Sequence, residues 1–221
     1  MDIVKDNKTI KRRSKGEQSR NSILDAAIVL LAEQGIKGTT HRAIANYSGL
    51  QLSLTTYYFK DINDLIFQAF KRNSELTIEK AATAWQDAFS LLSKLDNTRP
   101  LSEADKANIQ SQLTNLAVEY IVHKVETQPT MLAVERLLFS LTNSTTHFTE
   151  LAQFHRATLL KPFEQLCAAF NAGTSEVDAD IMFTVFTQLE YRNIGNLGEQ
   201  IDKDEIRSRV HRIIEWVMKA L

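Results

Sequence analysis

The sequence predicts an all-α protein, and three observations carry that prediction. The 221 residues contain only 3 Pro and 7 Gly, too few breakers for many short strands and turns. Apolar residues recur at helical spacing along most of the chain, and no run alternates with the period of a strand. Apolar residues make up 43% and charged residues 24%, ordinary values for a globular protein with a core to bury.

Residues 1–14 are polar and basic with little to bury, which predicts a disordered arm. The first helix is expected from about Lys15 to Gln34, with Ile23, Ala27, Leu30 and Leu31 on one face and Gly35 as its stop. Thr40 is a natural N-cap for a short helix from His41 to about Ser48, which Gly49 breaks with a tight turn. A second short helix follows, from about Gln51 to Phe59. Asp61 then opens a long one that continues toward Leu95 without Gly or Pro. Residues 96–102 have loop composition, and Ser102 heads a helix-start signature. Further helices are expected at about 103–127, 130–145, 147–171, 176–193 and 203–220, with Pro162 kinking or splitting the 147–171 helix near Leu160.

Charge divides the chain. Residues 1–60 carry ten Lys or Arg against five Asp or Glu, whereas the remainder is acidic. A basic head on an acidic body suggests a polyanion partner for the head, although a solvated basic tail would give the same count. The lone Cys167 excludes an internal disulfide and a cysteine zinc site. Its apolar helical flanks point to a packed thiol rather than a reactive one. The N-terminus lacks a signal-peptide pattern and no stretch has 18 apolar residues, so the expected setting is the cytoplasm and no membrane partner is expected. No phosphate loop, nucleophile elbow or His-Glu-x-x-His is present, so neither an enzyme nor a cofactor is expected. Glu119, His123 and Glu126 could share one helix face, but solvated faces commonly look the same, and no metal is expected there. His147, His155 and His211 read as surface or packing residues.

The informative segment runs from Thr39 to Lys60. Two short helices joined by a Gly-containing turn can cross steeply, with Ala45 at the crossing and Ile44, Leu50 and Phe59 as anchors. The second helix would then present Gln51, Leu52, Ser53, Thr56, Tyr57 and Lys60, whose hydroxyls, amide and cation suit phosphates and base edges. An αα-hairpin without a DNA role, used to grip another protein, fits the same spacing.

From about Gln18 to Phe70 the sequence resembles the DNA-binding module of the TetR-type, tetracycline-repressor-like regulators. The resemblance rests on Ile23-Leu24-Asp25-Ala26-Ala27, Ala32-Glu33-Gln34-Gly35, Thr39 through Ala45, Ser48-Gly49-Leu50, Thr56-Tyr57-Tyr58-Phe59-Lys60 and Leu65. It implies a three-helix head over residues 15–70 and a helical effector-binding and dimerisation body over residues 71–221. It implies DNA contacts from Thr39, Thr40, Arg42, Gln51, Leu52, Ser53, Thr56, Tyr57, Tyr58 and Lys60. Apart from the resemblance, the charge of the Lys11–Lys15 arm suits added phosphate or minor-groove contacts. It also implies a homodimer on a two-fold symmetric double-stranded operator, most often a repressor released by a small-molecule effector. An activator, or a regulator that needs a co-repressor, would share these features.

Four positions depart from the family pattern, in three places. Thr55 and Thr56 stand where an aliphatic and an aromatic residue are frequent. Ile62 stands where a phosphate-binding Lys is common, and Gln51 where a better N-cap is usual. The effector pocket is expected near Trp85, Phe89, Tyr120, Phe139 and Phe148, with Asn143 as a polar contact, and as a cavity of about 300 Å³. The dimer interface is expected on the two penultimate helices, through Leu159, Phe163, Leu166 and Phe170 and through Ile181, Val185, Gln188 and Leu189.

Overall fold

The computed structural model describes residues 3–94, 102–141, 145–196 and 201–218, and among these residues there is no strand. The helices are α1 (Ile3–Gly38), α2 (His41–Ser48), α3 (Leu52–Tyr58), α4 (Ile62–Leu92), α5 (Glu103–Thr127), α6 (Pro129–Ser140), α7 (Thr146–Phe170), α8 (Ser175–Asn193) and α9 (Lys203–Met218). A 3-10 turn, Ile194–Asn196, follows α8. No helix among the described residues is long and apolar enough to cross a membrane.

The helix boundaries follow local chemistry. Gly35 takes φ 66°, a conformation that ends the regular part of α1 before its last turn. Gly49 takes φ 67° and caps α2, and the next amide, of Leu50, donates to the Ala45 carbonyl at 3.2 Å. The Asp61 side chain accepts from the Asp64 amide and opens α4. Ser102 and Asp105 form a reciprocal capping box on α5, and Pro129 opens α6, where its missing N–H costs nothing.

Two expectations change. The backbone of α1 is already helical from Ile3, through most of the segment where composition predicts a disordered arm. No Gly or Pro interrupts residues 3–15, and Lys and Arg are good helix formers. Pro162 lies inside α7 without splitting it at Leu160. Packing of Leu159, Phe163 and Leu166 on both sides of the proline holds the helix together.

The apolar stripes close into two cores. In the first, Ile23, Ala27 and Leu31 of α1 meet Ile44 of α2, Phe59, and Leu65, Ala69 and Phe70 of α4. This core also takes in Val134 and Leu138 of α6 and Ala152 of α7, so it reaches past residue 70 into the body. The second core joins α5, α7, α8 and α9 around Ile121, Phe163, Met182, Phe186 and Val210, with Ala81 and Ala88 from the far end of α4. The helix α4 therefore runs unbroken from one core to the other, across the point where the sequence places a domain boundary. Cys167 is fully buried in the second core, and burial, with Asp178 adding to it, pushes its thiol up to about 12. That thiol is inert at neutral pH.

Candidate nucleic-acid interface and effector pocket

The helix α2 begins at Thr40, whose hydroxyl accepts from the Ala43 amide at 3.1 Å. Thr40 and Arg42 are exposed. Thr39 is not: it is 1% exposed and its hydroxyl donates to the Gly35 carbonyl at 2.8 Å. Thr39 thus holds the turn between α1 and α2, and its side chain has no free surface for a phosphate. The sequence could not separate the two threonines, because both precede the same helix.

The placement of α3 rests on a contact that spacing does not reveal. His41 Nδ1 lies 3.0 Å from Thr55 Oγ1, and Thr55 Oγ1 donates to the Leu52 carbonyl at 2.8 Å. With the hydroxyl proton directed to that carbonyl, the Nδ1–H tautomer of His41 completes the contact by donating to Thr55. A buried Thr55, fully bonded, thereby locks α2 to α3. Beneath them, Ile44 and Phe59 are buried and Leu50 is half-buried, and the Arg20 guanidinium lies 5.3 Å from the Phe59 ring centre.

With its inner face fixed, α3 turns Leu52, Ser53, Thr56 and Tyr57 outward, flanked by exposed Gln51 and Lys60. Tyr57 is 78% exposed and Leu52 45%, high values for large apolar side chains on a folded surface. Gln51 occupies the N-cap position without a side-chain capping bond, so α3 starts at Leu52. Tyr58 is half-buried, edge-on to Tyr57 with ring centres 5.0 Å apart, and packs on the first core. Ile62 packs there too, which explains why a residue without charge serves at that position.

The expected pocket residues divide. Trp85 and Phe89 stack at 5.7 Å, and Trp85 meets Phe163 edge-on at 4.7 Å. Trp85 and Tyr120 line an apolar cavity with Ala84, Ala88, Leu113, Leu116, Met182 and Phe186. Phe139 and Phe148 lie elsewhere: they flank the first core, where Phe148 packs edge-on against Phe67 and Phe70 and Phe139 lies beside His155. Aromatic identity marks burial but not which of two cores receives the ring. Asn143 lies outside the described residues. The cavity holds about 50 Å³, well short of the expected size, so in this conformation it has no room for a drug-sized effector.

Beneath the cavity lies a buried polar network that the sequence reading missed. Lys124 Nζ donates to Glu190 Oε2 at 2.6 Å, and Tyr191 donates to Glu135 Oε1 at 2.9 Å. His155 Nε2 lies 3.4 Å from Glu135 Oε2, and its Nδ1 is 2.7 Å from Ser74 Oγ. His155, expected as a surface or packing residue, is thus a fully buried link from α7 to both α4 and α6. The signal was available: Lys124 follows Ile121 by three, Glu135 lies midway between Leu132 and Leu138, and Glu190 follows Phe186 by four. Charges at core spacing belong to the core.

The expected interface residues also divide. Leu159, Phe163, Leu166, Phe170 and Leu189 are buried inside the chain's own second core. Ile181 and Gln188 are exposed and Val185 half-buried. A helical stripe shows that a face is covered, not whether the same chain or a copy covers it.

These features define a helix-turn-helix head on a helical body. Residues 23–69 match the model of the family described as bacterial regulatory proteins, tetR family, and this match covers the head. The chain is 26% identical over 130 residues to the HTH-type transcriptional regulator AcrR of Shigella flexneri, covering 57% of this chain and 58% of that relative's length. Solved structures share the fold at low identity. A protein of Mesorhizobium loti assigned to the TetR family matches with TM-score 0.66 at 14% identity, over 92% of this chain and 96% of its own. Salmonella enterica GusR matches with TM-score 0.63 at 13% identity, over 91% and 96%. A transcriptional regulator from Saccharomonospora viridis, solved in complex with choline, matches with TM-score 0.62 at 15% identity, over 90% and 96%.

Proposed function

We propose that the protein is a cytoplasmic, sequence-specific DNA-binding repressor that acts as a homodimer and leaves its operator when a small molecule enters the body. The observation that carries this reading is the outward face of α3, which shows two large apolar groups, hydroxyls and the Lys60 cation to solvent while the His41–Thr55 contact fixes its inner face. Thr40, Arg42, Gln51, Leu52, Ser53, Thr56, Tyr57, Tyr58 and Lys60 form the contact set; Thr39 supports it from beneath. Selection from a random pool of double-stranded DNA tests the reading. A two-fold symmetric site should be enriched, with half-sites about 34–36 Å apart. Failure to enrich any sequence would favour a protein-binding head.

Two predictions follow from this geometry. Lys60→Ala should flatten the dependence of log affinity on log salt by roughly one unit per protomer, the mark of one lost phosphate contact. An unchanged slope removes Lys60 from the contact set. The dimer face is the outer side of α7 and α8, where Val177, Ile181, Thr184 and Gln188 form an exposed stripe and Phe154 is 62% exposed. Ile181→Glu should convert the dimer to a folded monomer in sedimentation equilibrium, because a charge at the centre of an isologous contact meets its own copy. A dimer that survives the substitution places the interface elsewhere.

Support for an effector comes from the small apolar cavity beside α4, the helix that joins both cores. An effector that opens the cavity would move α4, and with it the spacing of the two recognition helices. The Saccharomonospora viridis regulator that shares this fold was solved in complex with choline, and the likeness concerns the fold alone.

A further inference from the structure

We propose that the groove between α4 and α5 is the headgroup site for an anionic amphiphile, a monocarboxylate on an apolar body. The inference deepens the effector reading above and names the chemical class of ligand. The groove has a volume of about 550 Å³ and is lined by Thr77, Lys80 and Thr83 from α4 and by His123, Lys124 and Thr127 from α5. No carboxylate is among the residues that line it. A groove with the exposed Lys80, hydroxyls and no lining acid favours an anion over an ammonium, even with the Lys124 charge shared with Glu190.

Thr77 supplies the independent observation. It is 2% exposed, and its hydroxyl has no hydrogen-bond partner. A helical Thr commonly donates to the carbonyl one turn back; a buried hydroxyl left unpaired is costly and marks a site where an acceptor is missing. Lys124 is also buried and belongs both to this groove and to the small void above Glu190. Its bond to Glu190 takes one ammonium hydrogen of three. Of the two carboxylates below, Glu190 accepts from Lys124 and Glu135 Oε1 accepts from Tyr191, while His155 Nε2 stands 3.4 Å from Glu135 Oε2.

The apolar body has a path inward. Ala84 and Tyr120 line both the groove and the small apolar cavity, so the two spaces adjoin. A carboxylate at Thr77 and Lys80 would direct its tail past Ala84 toward Trp85. The small alanines leave room there, and the tail would open the cavity along the surface of α4.

Titration calorimetry of the full chain with decanoate, decanol and decyltrimethylammonium, each below its micellar concentration, tests the proposal. Decanoate should bind about tenfold or more tightly than decanol, the worth of a charge-assisted hydrogen bond, and the ammonium should bind no better than decanol. Lys80→Gln changes an exposed residue, and Thr77→Val removes only an unpaired hydroxyl, so both variants should fold. Each should weaken decanoate about five- to tenfold and leave decanol unchanged. Equal affinity for the three probes, tighter ammonium binding, no decanoate binding, or variants that bind decanoate like the parent would each overturn it. Decanoate that binds as described but leaves the affinity for selected DNA unchanged would sustain the site and overturn its role as an effector site.

Discussion

Lys124→Met should destabilise the protein by about 3–5 kcal/mol, because it leaves buried carboxylates without their cation. Lys124 is 7% exposed at its side chain and Glu190 4%, and Glu135 and His155 are each 1% exposed, so water cannot replace the missing ammonium. Burial alone would lower the Lys124 pKa, but Glu190 and then Glu135 hold it above the usual lysine range. Burial alone would raise Glu135, but Lys124 and then His155 draw it down to about 2. Glu190 stays raised, because burial outweighs Lys124.

The pH dependence follows from these directions. The folded pKa of Glu135 is depressed, so its contribution is fully present above its unfolded value near 4.5 and is lost as pH falls toward 2. The raised pKa of Glu190 has the opposite sign: its burial costs stability as pH rises and costs less once it is protonated. Without Lys124 both carboxylates titrate upward. The deficit of Lys124→Met against the parent, read from guanidinium midpoints, should therefore shrink between pH 8 and pH 5. The double variant Lys124→Met/Glu190→Leu should recover much of the loss, since an apolar pair of similar volume is often as stable as a buried ion pair. A deficit under about 1 kcal/mol for the single variant would mean that water reaches the pair and that the network is not closed.

The same network shows where the sequence stopped being legible. The helix limits set by a local cap or breaker were readable because they depend on neighbours: Thr40, Gly49, Asp61, Ser102 and Pro129 each act within one turn, whereas the start of α1 at Ile3 and the end of α6 at Ser140 carry no such signal. Partner choice between helices was not readable. Leu159, Phe163 and Leu166 fit an interface stripe as well as a core stripe, and only the placement of α5 and α8 over them decides for the core. Phe139 and Phe148 were drawn to the wrong cavity for the same reason. The two faces of α3 were more legible, because the helix is short and they differ in kind: Thr55 and Phe59 inward, Ser53, Thr56 and Tyr57 outward. Even there, only the pairing of His41 with Thr55 explains why a polar residue lies on the inner face.

Tyr57→Glu should weaken operator binding by about 100-fold or more while leaving the melting temperature within a degree or two of the parent. Tyr57 is 78% exposed and touches mainly the edge of Tyr58, so its removal opens no cavity and breaks no hydrogen bond of the fold. The cost arises only on DNA, where a carboxylate on each protomer meets the phosphates that the head is built to approach. Tyr57→Phe separates the roles of ring and hydroxyl. If the hydroxyl bonds a phosphate, Tyr57→Phe should lose about fivefold, the worth of one hydrogen bond, and Tyr57→Glu far more. Fluorescence anisotropy on the selected site at fixed ionic strength reads both. Binding of Tyr57→Glu within threefold of the parent would mean that α3 does not face the duplex, and a head presenting some other surface to DNA would leave the His41–Thr55 lock without a functional purpose.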